Sequence, residues 1–331
     1  MPFPFNIYFA ALFGAGVTTF MALPLWRRWC ERAGVVDDPG ERKIHATPIP
    51  LAGGLGVMTG IFIPLLAGIL YISYHSFFRW KGIYPYTTLW FLNYGISHRS
   101  VQLCGIAFGA LGMLLLGLWD DKFELRPAVK FGGQLAIAFL VAATGVRITL
   151  FVPNIVFSYS ITILWILTVI NAFNFMDNMN GLCAGLGAIG AWYFALISAS
   201  DGQYLVAAIA FLVAGALTGF LPYNFPKARA FLGDAGSHLI GFLLAVLAIL
   251  PHFYTRQHPK TFAVFAPLFI LGMPLADLVW VVILRWRLGK PFYIGDNNHL
   301  SHRLVRRGWS PTRAVLFIWL LSAALGALAF F

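Results

Sequence analysis

The chain has 331 residues, of which 60% are hydrophobic and only 11% are charged, whereas about 25% of residues are charged in an ordinary soluble domain. So few charges cannot coat a globule of this size, which excludes a disordered chain, a disulfide scaffold and a nucleic-acid-binding domain and indicates a membrane protein. The formal net charge of +11 is expected to set topology and to meet anionic lipid or phosphate. Three scattered cysteines (Cys30, Cys104 and Cys183) are predicted to be packing residues.

Long apolar runs predict the fold class, because a helix that crosses a bilayer needs about 20 mostly apolar residues. Cutting the chain at charged and turn-forming clusters predicts an all-α, polytopic integral membrane protein that forms a single transmembrane domain over residues 1–331. About ten spans are expected. They lie near residues 5–26, 53–74, 100–118, 128–146, 154–172, 182–199, 204–220, 238–250, 263–284 and 313–330.

The basic residues predict the orientation. Alternate connections hold 17 of the 23 Lys and Arg residues, and the positive-inside rule therefore places them in the cytoplasm with both termini outside. The first span has no basic segment before it and is expected to be a retained helix, not a cleaved signal peptide. The five cytoplasmic connections comprise residues 27–52, 119–130, 173–181, 221–237 and 285–313.

The acidic residues concentrate on the same face, although the positive-inside rule does not require this. Ten of the twelve lie in the five cytoplasmic connections, while Asp201 lies on the other side and Asp277 inside a span. Greater loop length is one explanation, but the outer connection 75–99 is as long as most inner ones and has no carboxylate. The pattern favours a polar site for a metal or a cationic ligand.

Asp120 and Asp121 stand at the inner end of the third span, in GLWDDKFELRPAVK. Adjacent carboxylates about 5 Å apart repel by roughly 3 kcal/mol at an effective dielectric constant near 20. A divalent cation that neutralises both charges is therefore the expected partner. A solvated helix end is the alternative. The basic residues that follow, Lys122, Arg126 and Lys130, can pair with the acids or hold a phosphate.

The segment NAFNFMDNMNG is rich in amides at the inner end of a span. Spacings of three place Asn171, Asn174, Asp177 and Asn180 on one helix face. Polar groups at this depth are costly unless they line a wet cavity or bind a ligand, and such oxygens suit Mg²⁺. Capping and turn formation explain one or two of these residues, but not all of them together with Asn178.

Three further loops carry polar motifs. FLGDAGS (231–237) places small residues at a helix start, where backbone amides can approach a phosphate. GDNNHLSHRLVRRG pairs His299 with His302 at helical spacing, which favours acid–base chemistry or phosphate contacts over zinc. DDPGERKIHATPIPLAGG places Lys43 and His45 where they can meet a lipid phosphate or a nucleotide diphosphate, although topology alone also explains basic residues there.

In order and spacing, these five loops resemble those of the polyprenyl-phosphate N-acetylhexosamine-1-phosphate transferases of the glycosyltransferase family 4 type, from about residue 35 to 307. The resemblance implies transfer of a sugar 1-phosphate from a UDP-sugar to a polyprenyl phosphate such as undecaprenyl phosphate, with release of UMP and with Mg²⁺ or Mn²⁺. It also implies an inner-membrane enzyme of cell-surface polysaccharide synthesis, such as that of lipopolysaccharide or teichoic acid. Its partners would be the two substrates and membrane lipids, with no nucleic acid, and a homodimer is consistent with the family.

The resemblance carries site residues over position by position. The family motifs match this sequence at the acidic pair, at Asn174 and Asp177, at the Gly-Asp turn, at the histidine motif and at two basic positions. Phe231 is placed to stack on a base. The predicted catalytic residues are Asp120, Asp121, Asp177 and His299, and the predicted metal ligands are Asn174, Asp234 and Asp121. The predicted substrate-binding residues are Lys43, His45, Lys130, Asn171, Asn180, Phe231, Gly233, His302 and Arg303.

Three residues depart from the family motifs and bear on which branch of the family the sequence resembles. Glu124 stands where many members have a third Asp, Asn180 where an Asp is usual, and Ser301 at the middle His of a His-x-His-His pattern. The sequence fits the UDP-N-acetylglucosamine branch better than the phospho-N-acetylmuramoyl-pentapeptide transferases, which remain the alternative. An ion-coupled transporter is the alternative from another class, but it predicts polar residues near the midplane and an internal repeat. Only Asp277 lies deep, about 12 Å from the inner end of its span.

Overall fold

The computed structural model describes residues 4–39, 47–79, 88–150, 152–251, 264–291 and 297–330, without the side chains of 75–79 and 88–90. Lys43 and His45 lie outside the described residues. Thirteen α-helices fill most of the described chain, together with one two-residue antiparallel pair, β1 (Val36–Asp37) and β2 (Ile49–Pro50). The helices are α1 (Phe5–Ala33), α2 (Gly53–Arg79), α3 (Thr88–His98), α4 (Ser100–Phe123), α5 (Pro127–Ala143), α6 (Ile155–Met176), α7 (Leu182–Ser200), α8 (Tyr204–Asn224), α9 (Gly233–Leu247), α10 (Ala266–Ile270), α11 (Gly272–Arg287), α12 (Leu300–Arg306) and α13 (Pro311–Ala327).

The all-α, polytopic membrane fold predicted from hydropathy is confirmed. Within the described residues, seven helices are long and apolar enough to cross a bilayer. The fourth and eighth predicted spans are the shorter helices α5 and α9, with 17 and 15 residues. The ninth is divided at Leu271 into α10 and α11. The short helices α3 and α12 were not among the predicted spans.

Helix α9 lies at the centre of the bundle. Every residue from Gly233 to Leu247 is buried except Asp234, which is half-buried. A helix that is apolar on all sides is buried in protein or in lipid, and α9 packs against α2, α4, α6 and α7. Its environment is therefore protein, which explains how a helix too short for a span sits among longer ones.

Glycines allow three neighbours to approach α9 at backbone distance. A Cβ on Gly117 of α4 would lie 2.4 Å from the Ala235 Cα, and a Cβ on Gly54 of α2 would lie 2.6 Å from the Gly236 nitrogen. On α9 itself, a Cβ on Gly241 would lie 2.6 Å from the Ile170 Cα of α6. A Cβ at any of these distances would clash with backbone atoms, so the glycines allow α2, α4 and α6 to pack closely along α9.

Replacement of Gly117 by alanine should destabilise the bundle. The added methyl group meets backbone atoms of Ala235, which cannot rotate away, and such overpacking costs about 1–3 kcal/mol. Thermal unfolding of the purified protein in detergent should therefore show a lower midpoint for Gly117→Ala. The matched control is Gly68→Ala in α2, where a Cβ meets nothing within 4 Å, and equal midpoints for the two variants would contradict the packing argument.

Candidate active site

Polar side chains converge at one end of the bundle, where α4 and α6 end and α5 and α9 begin. The end of α4 supplies Asp120 and Asp121, and the first turn of α5 supplies Lys130. Asn174 lies in the last turn of α6, and Asp234 is the second residue of α9. Residues distant in the chain thus form one site, as the acidic pattern predicted.

Lys130 joins two carboxylates of different helices. Its Nζ lies 2.7 Å from Asp120 Oδ2 and 2.8 Å from Asp234 Oδ2. The side chains of Lys130 and Asp120 are only 19% and 8% exposed, so water screens these contacts weakly. The other oxygen of Asp120 accepts a hydrogen bond from the Leu125 amide at 2.8 Å, which closes the turn after α4.

Asp121 caps the start of α9. Its Oδ1 accepts a hydrogen bond from the Asp234 amide at 2.7 Å, and its Oδ2 accepts one from the Ala235 amide at 3.1 Å. An anion at a helix N-terminus is favoured by the unpaired amides there. Gly233 permits this approach, because its φ is 71° and a Cβ would lie 2.6 Å from Asp121 Oδ2. In the structure, the amides predicted to cradle a phosphate therefore bind a carboxylate of the chain itself.

The end of α6 completes the cluster. The side-chain amide of Asn174 donates hydrogen bonds to Asp234 Oδ1 and, at 3.0 Å, to Ser237 Oγ. Asp177 follows the helix as its C-cap residue. Within the described residues its carboxylate accepts no hydrogen bond, and it is half-buried. Enclosure by protein raises the pKa of Asp177 well above its usual value, and the negative charges of Asp234 and Asp121 raise it further.

A second polar layer lies deeper between α5, α6 and α9. The Asn171 amide donates to Gln134 Oε1 at 3.0 Å, and Gln134 Nε2 lies 3.2 Å from His238 Nε2. Gln134 and His238 are 1% and 0% exposed. Asn171 therefore lies one layer below the carboxylates. Sequence reasoning missed Gln134, Ser237 and His238, although a polar residue inside an apolar helix is itself a signal.

His299 forms a buried pair with Asp277. Its Nδ1 lies 2.7 Å from Asp277 Oδ2, and Asp277 Oδ1 accepts a hydrogen bond from the Leu300 amide at 2.8 Å. The ring of His299 meets the edge of Phe175, over which the Arg285 guanidinium lies at 4.9 Å. The deep acid Asp277 was not predicted as a site residue, but it orients one that was.

The remaining predicted residues are more dispersed. The His302 ring centroid lies 6.3 Å from that of His299, whereas the Arg303 guanidinium lies over the Trp280 ring at 4.7 Å. Asn180 donates a hydrogen bond to the Pro226 carbonyl at 3.2 Å, between the loops that follow α6 and α8. Phe231 is half-buried, and its backbone contacts Pro50 and Gly53. The structure thus does not place Asn180 or Arg303 in a described contact with the carboxylates.

The donor set fits a hard divalent cation. Two carboxylates, Asp120 and Asp234, contact the Lys130 ammonium group. Two more, Asp121 and Asp177, lie at the start of α9 and the end of α6. In the described part of the chain, no three His, Cys, Asp or Glu side chains form a complete set of metal ligands. Mg²⁺ does not require such a cage, because it is usually bound by one or two carboxylates, waters and substrate phosphates. The Asp177 carboxylate lacks a hydrogen-bond partner among the described residues, so both of its oxygens can coordinate a metal ion.

Fold and site together define a polytopic membrane protein with an acidic, lysine-containing site at one end of its helices. Residues 103–252 match the model of glycosyl transferase family 4. The chain is 32% identical over 313 residues to the "probable undecaprenyl-phosphate N-acetylglucosaminyl 1-phosphate transferase" of Bacillus subtilis, covering 92% of this chain and 79% of that protein. The chain belongs to glycosyl transferase family 4, as the five loop motifs indicated.

Two further relatives show the same range of similarity. The chain is 31% identical over 341 residues to the decaprenyl-phosphate N-acetylglucosaminephosphotransferase of Mycobacterium tuberculosis, covering 95% of this chain and 80% of that protein. It is 27% identical over 319 residues to the undecaprenyl-phosphate alpha-N-acetylglucosaminyl 1-phosphate transferase of Escherichia coli K12, covering 91% and 77%. The similarity therefore extends over nearly the whole chain.

Replacement of Asp121 by asparagine should loosen the start of α9. An asparagine oxygen can accept one of the two amide hydrogen bonds, but its NH₂ group faces the other donor, which costs about 1–3 kcal/mol. Hydrogen exchange of residues 231–238 should accelerate about 5–100-fold in Asp121→Asn. Glu124→Gln, a change at an exposed carboxylate three residues further on, is the control. Unchanged exchange in Asp121→Asn would show that the cap does not hold α9.

Proposed function

We propose that this chain transfers N-acetylglucosamine 1-phosphate from UDP-N-acetylglucosamine to a polyprenyl phosphate, with release of UMP. The observation that carries the proposal is the Lys130 ammonium between Asp120 and Asp234 at the end of a membrane helix bundle. This is a place where the phosphate of a membrane lipid and a water-soluble nucleotide can meet. The names of the relatives support the sugar and the lipid, since each of the three includes N-acetylglucosamine and a polyprenyl phosphate.

The same proposal places the protein in the bacterial inner, or plasma, membrane with its site in the cytoplasm. The distribution of basic residues supports this, because 17 of the 23 Lys and Arg residues lie in the connections that carry the site motifs. Both termini are then outside. The proposed product is a polyprenyl-diphosphate sugar for cell-surface polysaccharide synthesis.

The proposed cofactor is Mg²⁺ or Mn²⁺, held by Asp234 and Asp177 with Asn174 beside them. The predicted third ligand, Asp121, uses both oxygens to cap α9 through backbone amides. The Asp234 oxygens contact the side chains of Asn174 and Lys130, which can exchange these contacts for substrate, and Asp177 accepts no hydrogen bond among the described residues. When bound, the metal would neutralise the diphosphate of the UDP-sugar and polarise its oxygens.

Lys130 and the carboxylates have distinct proposed roles. Lys130 can exchange its contact with Asp234 for a substrate phosphate while Asp120 keeps it in place. Asp120 and Asp121 were predicted to deprotonate or align the polyprenyl phosphate, but all four of their oxygens are engaged in this structure. They are therefore best explained as positioning Lys130 and α9, and Asp177 keeps its role as a metal ligand.

We favour a single displacement. An oxygen of the polyprenyl phosphate forms a bond to the sugar-bearing phosphorus, and the bond from that phosphorus to the bridging oxygen breaks, so that UMP leaves with the electron pair. The acceptor is already an anionic nucleophile, and a covalent phosphosugar on an aspartate is the alternative. Positioning and charge neutralisation are the main demands of such a transfer, and the site supplies both.

UMP release tests the proposal directly. Purified protein in detergent should release UMP from UDP-N-acetylglucosamine only when undecaprenyl phosphate and Mg²⁺ or Mn²⁺ are present, and chelation with EDTA should stop it. Asp234→Asn should lower the rate at least about 100-fold, because it removes the charge that contacts Lys130. Asp201→Asn, the same change in the connection between α7 and α8, should leave the rate unchanged.

Substrate competition distinguishes the alternatives. Activity with a UDP-muramoyl-pentapeptide instead of UDP-N-acetylglucosamine would identify the other branch of the family. Absence of UMP with any UDP-N-acetylated sugar would contradict the transferase proposal. A radiolabelled protein intermediate, formed from labelled UDP-sugar without lipid, would contradict the single displacement.

Asp277 should act as a positioning residue for His299. Asp277 holds Nδ1, and in the described part of the chain the His299 Nε2 has no partner, which leaves it for the substrate. Asp277→Asn should lower kcat about 10–100-fold with less than about a threefold change in KM for the UDP-sugar, because ring orientation is lost. Asp277→Glu should restore part of kcat. A fall in thermal stability without any change in kcat would show that the pair is only structural.

A further inference from the structure

A polar cavity lies at the end of the bundle opposite the candidate active site. It has a volume of about 310 Å³ and forms where α3 meets α4 and where the chain leaves α5 and α9. Gln102, in its lining, and Asp120, in the candidate active site, are 18 residues apart on α4, which corresponds to about 27 Å along the helix axis. The two sites are therefore separate.

The lining of this cavity is cationic. It includes His98, Arg99 and Arg147, and none of its eight residues is acidic. Asp201, the acid that follows α7, is not part of the lining.

The helix ends around the cavity do not reverse this charge. Carbonyl groups beyond the ends of α5 and α9 would favour a cation, but two of them already accept hydrogen bonds. Gln102 donates to the Gly145 carbonyl at 3.1 Å, and Arg99 donates to the Leu250 carbonyl at 3.4 Å. The start of α4 at Ser100 adds partial positive charge at the same end. The cavity is thus suited to an anion.

Arg147 has unused hydrogen-bonding capacity. Its guanidinium lies over the Tyr159 ring at 5.4 Å, and among the described residues it donates no hydrogen bond and forms no ion pair. The side chain is half-buried. A guanidinium carries five N–H donors, and their planar arrangement matches the oxygens of a phosphate group.

Exposed apolar side chains border the same arginine. The Tyr159 ring packs against Phe139 at 5.8 Å between centroids, and Phe139 is 52% exposed. Val156, three residues before Tyr159 on α6, is 69% exposed. In a membrane protein this surface faces lipid chains, so the anion-binding groups and the acyl-chain surface adjoin each other.

We propose that this cavity binds the phosphate of an anionic phospholipid headgroup, which Arg147 and Arg99 hold while the acyl chains lie over Phe139. Basic pockets between transmembrane helices recognise anionic headgroups in this way. The apolar surface favours a phospholipid over a soluble phosphate. This site does not depend on the proposed transferase activity, because none of its residues belongs to the candidate active site.

Lipid binding by the purified full chain tests the proposal. Native mass spectrometry in detergent, with phosphatidylglycerol titrated against phosphatidylcholine, should show tighter binding of phosphatidylglycerol. Arg147→Gln should weaken that binding at least about tenfold, the loss expected for a charge-assisted hydrogen bond, and Arg147→Lys should weaken it less. Arg313→Gln, at an exposed arginine in the first turn of α13, should change it less than about twofold.

Two results would overturn the proposal. Equal phosphatidylglycerol binding by Arg147→Gln and the unaltered protein would exclude the cavity as the site. Displacement of phosphatidylglycerol by low millimolar inorganic phosphate would identify a soluble anion, not a phospholipid, as the occupant. Size-exclusion elution and thermal unfolding without added phospholipid should be the same for all variants, which separates lost binding from lost folding.

Discussion

The contact of one ammonium group with two carboxylates constrains much of this structure. Asp120 and Asp234 belong to helices that are distant in sequence, and each would be costly at this depth without a partner, because removing one member of a buried ion pair leaves an uncompensated charge. Lys130 can reach both carboxylates only if the end of α4, the start of α5 and the start of α9 lie together. Gly117 allows that approach, since the backbones of α4 and α9 meet where a methyl group would not fit.

The site is built in layers along α9 and its neighbours. Asp234, at the start of the helix, belongs to the carboxylate layer, and Ser237 and His238, one turn further, contact Asn174 and Gln134. Each polar group on this otherwise apolar helix therefore meets a polar group on α5 or α6. Such interlocking fixes the rotation of a central helix that apolar contacts alone would leave less specified.

Much of the fold, and the proximity of Asp120, Asp121 and Asp234, followed from the sequence, because hydropathy and charge directly reflect the bilayer. The spans were predictable from apolar runs, but the shortness of α5 and α9 was not, since protein and lipid surroundings both select apolar residues. The acidic loops predicted a shared site. They could not show that Asp121 would accept hydrogen bonds from the amides of Asp234 and Ala235, because a sequence that predicts an anion-binding turn does not reveal which anion binds there.

The histidine motif illustrates a different limit. The pairing of His299 with Asp277 joins residues 22 positions apart on different elements, and no local sequence pattern specifies it. The sequence shows Asp277 as an acid inside a span. Burying a carboxylate within a membrane is costly, and this cost indicates a specific partner. Knowledge of the partner required the position of α12 relative to α11.

The capping role of Asp121 also affects how inactive variants of this protein can be interpreted. A substitution at Asp121 or Gly233 disturbs the same two amide contacts that orient Asp234. Loss of turnover there cannot distinguish a participant in the reaction from a support of the backbone. Asp177 gives a clearer answer, because within the described residues its carboxylate supports no other group. A genetic screen that ranked these positions by loss of activity alone would not separate residues that hold the backbone of α9 from residues that contact the substrate or the metal.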